Sequence, residues 1–589
     1  MKKLLRLLPA LALMFCAVQV RSADIEIDDE EVDGAIEYSR LVEILNTYFA
    51  AVMESDPEEA TMLGIHGADN LLTARTADQI AKKTETFKNL LARINELQCS
   101  RLSADRCADY QALRSSVELE LYRLEQVQPY KTSPRYYLSA LDSVYYLMGN
   151  DFMDYNTRAA NAISRLEQLP GVLLEAERNF YHPPKMWLQL AIAECDTSLA
   201  HMNDLDSMFD RYVELDPALK QRVDATIADA GAAIKRFRTY LAGDAMVQAD
   251  GDWRAGKDAY AFYLKHWHGV DFSAGSAASR SKSIYEDTRR AFLRELGLAL
   301  SNRDVEPSDF DSAMALLVTD HPAQSAIVSS FQQEIERSYQ YFDKLRLIPV
   351  PRQRLKIYDV PGYRMALSPF AYYEAPAPLD TVRIGGLYVD MPPKTLSAEK
   401  REQQLRALFN YPYISMVVTQ EIVPGRHLHD TIANDSSRFR KLYSAPFLLN
   451  GWASYAQQLA FERGFFDAPY SKMVFLRWKM VRAARGYLDV QMHTGQMDYD
   501  EAMEFLISDA GLSPEQAKAE IANISLHPTE YLAYELGAQE ITKLRDRWQS
   551  RLGKKFDLRD FHKVVMSMSN VPFSSMDGIL QQYYSDKDK

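Results

Sequence analysis

The sequence predicts a mainly α-helical protein with one small β-containing segment. Two patterns carry the prediction. Apolar residues recur at three- and four-residue spacing along most of the 589 residues, and that rhythm breaks once, in a proline-rich stretch with β-favouring runs. A hydrophobic share of 47% supplies a large core, which excludes a disordered chain, a collagen-like fibre and a disulfide-stapled miniprotein. With 81 acidic against 68 basic residues the formal charge is −13, and no long Lys/Arg run occurs, so a nucleic-acid surface is excluded as well.

Residues 1–23 have the layout of a secretory signal peptide: Lys2, Lys3 and Arg6, then an apolar run over 7–20, then small residues at Ser22 and Ala23. The run is shorter than the ~20 apolar residues a membrane anchor needs, so the mature chain is expected to lack a transmembrane segment. Cys16, after Leu13-Met14-Phe15, offers an alternative as a lipoprotein acceptor; the bulky Phe15 beside it argues against that. The expected location is therefore periplasmic or secreted. Cleavage removes four cations and no acid, leaving −17, and seven acids fall within residues 24–33. Residues 24–37 therefore read as an acidic, disordered leader, and the chain from Gly34 onward carries −10. Three cysteines reach an oxidising compartment: Cys99 and Cys107 flank a short polar turn and could close a local loop, while Cys195 lies on an apolar helix as a buried thiol.

Residues 38–345 form the N-terminal helical region. Leu41, Ile44, Leu45, Tyr48, Phe49 and Val52 mark one apolar helix face. Asp56-Pro57-Glu58-Glu59 opens the next helix and Gly64 closes it, in the proline-first, glycine-last order. Within residues 346–395 the pattern changes: eight prolines, Gly362, Gly385 and Gly386 accompany the runs Leu355-Lys356-Ile357-Tyr358 and Leu387-Tyr388-Val389. Helical spacing resumes over 396–585, the C-terminal region that carries the chemistry-bearing residues.

Those residues are Gln420-Glu421-Ile422-Val423-Pro424-Gly425-Arg426-His427-Leu428-His429 and Asn450-Gly451-Trp452-Ala453-Ser454-Tyr455-Ala456. Their layout resembles the bacterial family called domain of unknown function 885, zinc-peptidase-like helical proteins whose motif reads His-Glu-x-x-Pro-Gly-His-His-Leu-Gln and then Glu-Gly-Trp-Ala. Further marks follow in the family's order: residues 57–64, Leu387-Tyr388-Val389-Asp390, Arg482-Ala483-x-Arg485 with Asp489-x-x-x-His493, Pro528-x-x-x-Leu532-Ala533-Tyr534-x-x-Gly537, and Phe556-Asp557-Leu558-x-x-Phe561-His562. The resemblance implies a large helical metallopeptidase-like body with a deep cleft. It also implies roles: Glu421 as the general base, Tyr534 as an oxyanion donor, and His493 and His562 as cleft residues that orient substrate or ligands.

A zinc hydrolase needs three neutral or anionic ligands, an open position for water and a base beside it. The base is kept as Glu421. Gln420 stands where the family has its first His, Asn450 where it has the acidic ligand, and Arg426 where it has the first His of the pair. Gln and Asn offer only weak neutral oxygens, and Arg stays protonated. Only His427 remains as a ligand type. No cofactor is therefore expected, with zinc retained only if His427 joins His493, Asp489 or His562 in a rebuilt site; His427 and His429, two apart on a helix, point about 200° away from each other. The replacements make joint electrostatic sense, because the Arg426 guanidinium can take the place of the metal cation, pair with Glu421 and hydrogen-bond the Asn450 and Gln420 amides. The expectation is a peptidase-like protein with a dismantled metal site, in which Arg426, His427 and His493 hold a peptide. An active metal-dependent carboxypeptidase or dipeptidase with a non-standard ligand set is the first alternative, and a structural envelope protein the second.

Other motifs carry less. Residues 251–258 nearly spell a phosphate loop, but Asp258 replaces the Ser/Thr that would hold Mg²⁺ and no strand precedes it, which leaves a helix-start loop. His266-Trp267-His268 lacks nearby ligand types and reads as structural. No G-x-S-x-G elbow occurs. Tyr137, Tyr145, Tyr146 and Tyr155 are expected to pack between helices.

Overall fold

The structure is a computed structural model that describes residues 29–587, apart from 215–216, 301–309, 311–313, 315–316, 319, 362–369, 394, 435, 467–468 and 569. The expected signal peptide, with Cys16, lies outside the described residues.

Helix α1 (Asp29–Ser55) begins inside the segment read as a disordered leader, rather than after residue 37. Leu41, Ile44, Leu45, Tyr48, Phe49 and Val52 are all buried, as their spacing predicts. Helix α2 (Pro57–Leu63) starts on its proline and ends on Gly64, whose φ of 86° lies in the left-handed region. A Cβ on Gly64 would also sit 2.7 Å from the Asp380 backbone nitrogen, so this glycine lets the segment after the second strand pack against the N-terminal helices. Helices α3 (Ala77–Asn95) and α4 (Ala104–Tyr122) complete the first packing layer with α1. Cys99 and Cys107 form a disulfide, and Cys195 is a buried thiol pushed up to about 12 by its burial.

A second apolar core joins α5 (Arg135–Gly149), α6 (Tyr155–Asn179) and α7 (Pro217–Tyr240), with Tyr137, Tyr145, Leu166 and Phe237 inside it. The largest core surrounds the C-terminal helices. There α8 (Ala274–Leu300) runs along α12 (Pro469–His493), and α11 (Pro446–Glu462) along α13 (Leu532–Leu552). Trp452 and Trp548 are among the largest side chains fully buried in it.

The three strands β1 (Arg354–Asp359), β2 (Ala371–Glu374) and β3 (Ile384–Val389) form one sheet in the order β1-β3-β2. β1 runs parallel to β3 and β2 antiparallel to it. The register places Ile357, Leu387 and Tyr373 on one face and Tyr358, Tyr388 and Tyr372 on the other, because side chains alternate along each strand. Leu387 and Val389 are fully buried towards the C-terminal core. The molecule is thus mainly α-helical with a small sheet, as the spacing predicts.

Candidate functional site

Helix α9 (Tyr411–Val417) does not run straight into the Gln420–His429 segment but widens into a π turn over Val418–Ile422, closed by the Val423 N–H on the Val418 carbonyl (2.9 Å). Such turns rotate the side chains that follow and recur at functional sites. Gln420 and Glu421 sit on it. The chain then folds back on itself: a Cβ on Gly425 would lie 1.8 Å from the Gln420 carbonyl oxygen, so only glycine fits. Helix α10 (Arg426–Ala433) restarts directly afterwards, with Arg426 as its first residue. The helix thus breaks at Pro424-Gly425, and the break aims Arg426 back at the turn.

Two further elements close the arrangement. α11 and α13 cross backbone to backbone, since a Cβ on Gly537 would lie 2.4 Å from the Phe447 carbonyl oxygen and one on Gly451 would lie 2.7 Å from the Gly537 Cα. This approach brings Asn450 on α11 and Tyr534 on α13 to the same guanidinium: Arg426 Nη2 donates to Asn450 Oδ1 and to the Tyr534 hydroxyl, each at 2.7 Å. On the sheet side, a Cβ at Gly385 would lie 2.6 Å from the Tyr373 ring and 3.1 Å from His427 Nδ1, so the missing side chain on β3 makes room for both.

Glu421 is only 5% exposed and is engaged on both oxygens. Gln420 Nε2 donates to Oε1 (2.9 Å), the Tyr373 backbone N–H donates to Oε2 (3.0 Å), and Arg426 Nε lies 3.6 Å from Oε2. Behind it, Arg482 Nη1 donates to Gln420 Oε1 and to Gln457 Oε1, both at 2.8 Å, and Arg482 Nε donates to Glu535 Oε1 (2.8 Å). Gln420 thus works as a relay: its carbonyl end faces a buried cation and its amide end faces the carboxylate. Two guanidinium groups and two carboxylates balance in charge. Such pairing is the condition on which buried ions are tolerated.

His427 is fully buried on α10, and burial lowers its imidazole to about 4, the Gln353 backbone opposing the shift, so it is neutral at pH 7. Its Nδ1 lies 3.2 Å from the Tyr373 hydroxyl, which donates to Asp430 Oδ2 (2.9 Å). His429 is buried on the same helix near Trp452 and is also held neutral, at about 4, by burial.

The other expected site residues lie elsewhere. His493 Nε2–H donates to the Ile524 carbonyl (2.8 Å) and its Nδ1 accepts from the Ala255 N–H (3.2 Å). Asp489 accepts from the backbone N–H groups of Thr529 and Tyr531 and from the Tyr260 hydroxyl, fastening the loop that leads into α13. His562, on α14 (Leu558–Ser567), donates from Nδ1 to the Leu347 carbonyl and accepts at Nε2 from the Tyr455 hydroxyl, both at 2.8 Å. The structure therefore brings together Gln420, Glu421, Arg426, Asn450 and Tyr534, with His427 beside them, and spends both ring nitrogens of His493 and of His562 on other partners.

Zinc does not fit this donor set. The Arg426 guanidinium lies beside Glu421 and bonds to Asn450, Gln420 offers an amide already spent on Glu421 and Arg482, and a dication would add two charges to a balanced cluster. Among the described residues, no group of three or more His, Cys, Asp or Glu side chains could hold a metal ion. Sequence reasoning missed Tyr373, Glu535 and Gln457, and it placed Arg482 only among the family-like marks, without a role at the site. Its apolar flanks, Met480, Ala483 and Ala484, could have marked Arg482 as a buried cation; Tyr373 left no signal, because its place depends on sheet register.

Two solved structures share the fold. One is described as "a putative lipoprotein of unknown function" from Shewanella oneidensis, at 18% identity and a TM-score of 0.74, covering 92% of this chain and 99% of that one. The other is described as "the putative lipoprotein" from Colwellia psychrerythraea, at 16% identity and a TM-score of 0.76, covering 95% of this chain and 99% of that one. No curated protein matches. The family described as "Bacterial protein of unknown function (DUF885)" matches residues 57–579, nearly the whole chain, and the chain belongs to that family.

Proposed function

We propose that the chain is an exported, non-hydrolytic member of its family that holds peptides in a metallopeptidase-like cleft. The observation that carries this reading is the place of Arg426. Its guanidinium lies against Glu421, the residue that would serve as general base, and bonds to Asn450 and Tyr534 where a hydrolase would keep an acidic ligand and an oxyanion donor. A carboxylate engaged on both oxygens is poorly placed to take a proton from water, and no ligand set remains to activate that water. The Arg426 side chain is still 27% exposed, which leaves a cation for a peptide carboxylate to meet. Export rests on the layout of residues 1–23, and the description of two similar structures as putative lipoproteins supports it.

The test uses mature protein purified without added metal. Expected results are substoichiometric zinc, retention of peptides from a mixed library and no cleavage of any of them. Stoichiometric zinc, or turnover abolished both by a chelator and by Glu421→Gln, would overturn the reading in favour of an active metallopeptidase. Neither binding nor turnover would leave a structural envelope role.

A further inference from the structure

A second guanidinium stands beside the Arg426 cluster, on α12. Arg482 and Arg485 lie three residues apart on that helix and hence on one face of it. The helix passes close over the start of α13 at this point: a Cβ on Gly486 would lie 3.1 Å from the Leu532 Cα and 3.4 Å from the Tyr531 carbonyl oxygen. Arg482 turns inward to Glu535 and its side chain is only 4% exposed, whereas those of Arg426 and Arg485 are 27% and 32% exposed. Glu530, Tyr531 and Tyr534 are half-buried. Burial opposes the charge of Arg485, but Glu520 on the helix Pro514–Leu526 outweighs it, and the Tyr531 and Tyr534 hydroxyls add to the rise in its pKa. Tyr534 therefore neighbours both exposed cations, since its hydroxyl also accepts from Arg426.

Each of these two guanidinium groups holds donors in reserve. Arg426 spends Nη2 on Asn450 and Tyr534, and Arg485 spends Nη2 on Glu520. Nε of both is buried without a hydrogen bond, while Nη1 of both has no partner among the described residues and is open to solvent. A guanidinium carries five N–H donors, so it can serve a second carboxylate on a free edge while keeping its first. One acid nearby is also unspent. Burial works against the Arg426 charge, and Tyr534, Glu421 and, more weakly, Glu530 raise it. The Glu530 side chain itself has no hydrogen bond or ion pair among the described residues, which leaves an acceptor beside Arg426.

Given a site that holds peptides, the reading on which this step rests, we propose that its preferred ligand is a peptide ending in glutamate or aspartate, with the terminal α-carboxylate on Arg426 and the side-chain carboxylate on Arg485. Tyr534, next to both cations, sets their spacing, and Glu530 accepts the N–H of the terminal residue. Arg485 is then the specificity residue. A glutamine in place of the glutamate turns amide N–H groups towards a guanidinium that can only donate, so the neutral analogue forfeits both the charge and a hydrogen bond.

Calorimetric titration of the mature protein with acetyl-Ala-Ala-Glu, acetyl-Ala-Ala-Gln, acetyl-Ala-Ala-Glu-amide and free glutamate tests the proposal. Acetyl-Ala-Ala-Glu is expected to bind at least about tenfold more tightly than either of the other peptides. In Arg485→Gln the glutamate and glutamine peptides should come within about twofold of each other. Thermal melts establish that the variant folds, and Arg485→Gln combined with Glu520→Gln, which leaves no unpaired carboxylate behind, replaces it if the single variant does not. Equal binding of the glutamate and glutamine peptides, or a preference that survives in a folded variant, would overturn the proposal and leave the peptide-holding reading standing. Binding of free glutamate without any peptide would support recognition of two carboxylates and overturn the peptide as ligand. Binding of none of the four would overturn both readings.

Discussion

Arg482 holds the candidate site together from behind. Its guanidinium is buried, and its hydrogen bonds reach Glu535, Gln420 and Gln457. Replacing it with Met removes the cation and leaves the Glu535 carboxylate buried with only the distant Lys479 ammonium, at 3.9 Å, so Arg482→Met should lower stability by about 3–5 kcal/mol in urea unfolding. The front of the site makes a different prediction. Gln420, Arg426 and Asn450 are each held by the others' neighbours, so single reversions should not create a metal site. The triple change Gln420→His, Arg426→His and Asn450→Glu restores three ligand types around Glu421 and should produce stoichiometric zinc binding, measured by metal content after dialysis. Failure of the triple variant to bind zinc while still folded would mean that these positions do not occupy the family's ligand geometry. The pairing of Arg426 with Glu421 was legible in the sequence because a cation stands, in the same short segment, where the resemblance implies a metal ligand beside the base. The Gln420 amide was expected to meet Arg426 and instead meets Arg482, which local spacing could not disclose because Arg482 comes from a helix more than fifty residues away.

At the level of elements, the site depends on how closely α11 and α13 approach. Gly451 and Gly537 face each other where the two backbones touch, and neither has room for a methyl group. Gly537→Ala should force the helices apart, at a cost of about 2–3 kcal/mol, and should move Tyr534 away from Arg426. The combined measurement is a melting temperature together with accessibility of Tyr534. The helices themselves were readable from periodicity: the buried face of α1 and the two ends of α2 lie where the apolar spacing, Pro57 and Gly64 put them. The strands were readable as segments, from Leu355-Lys356-Ile357-Tyr358 and Leu387-Tyr388-Val389. Their order was not, because β3 lies between β1 and β2, and nothing in a local pattern reports which strand is central. The start of α1 lies earlier than the acidic run suggests, because composition alone does not distinguish a solvated leader from the first turns of a helix.

Across the whole molecule, the N-terminal helices and the β segment are joined by ionic contacts as well as by packing. His66 sits between Asp69 (3.0 Å) and Asp380 (2.6 Å), linking the end of α2 to the segment between β2 and β3. Burial alone would lower its pKa, but hydrogen bonds to Asp380 and Asp69 outweigh that and raise it from 6.5 to about 9. A histidine raised in the folded state stabilises fully below its unfolded value, and that contribution is lost as pH rises from about 6.5 through 9. Stability should therefore fall across that window by on the order of 1 kcal/mol after allowance for solvent screening, and His66→Gln should remove the dependence in urea titrations at pH 6, 7.5 and 9. The small sheet lies between the two halves, and its two adjacent glycines have opposite surroundings. One extra methyl at residue 385 would press on Tyr373 and His427, while one at 386 would press on Tyr388 and Tyr358. The two glycines thus serve opposite faces of one sheet, residue 385 towards Tyr373 and His427 and residue 386 towards Tyr388 and Tyr358. Gly385→Ala and Gly386→Ala, adjacent in the chain, should each disturb one face of the sheet and spare the other, so that the two faces become separable by neighbouring codons.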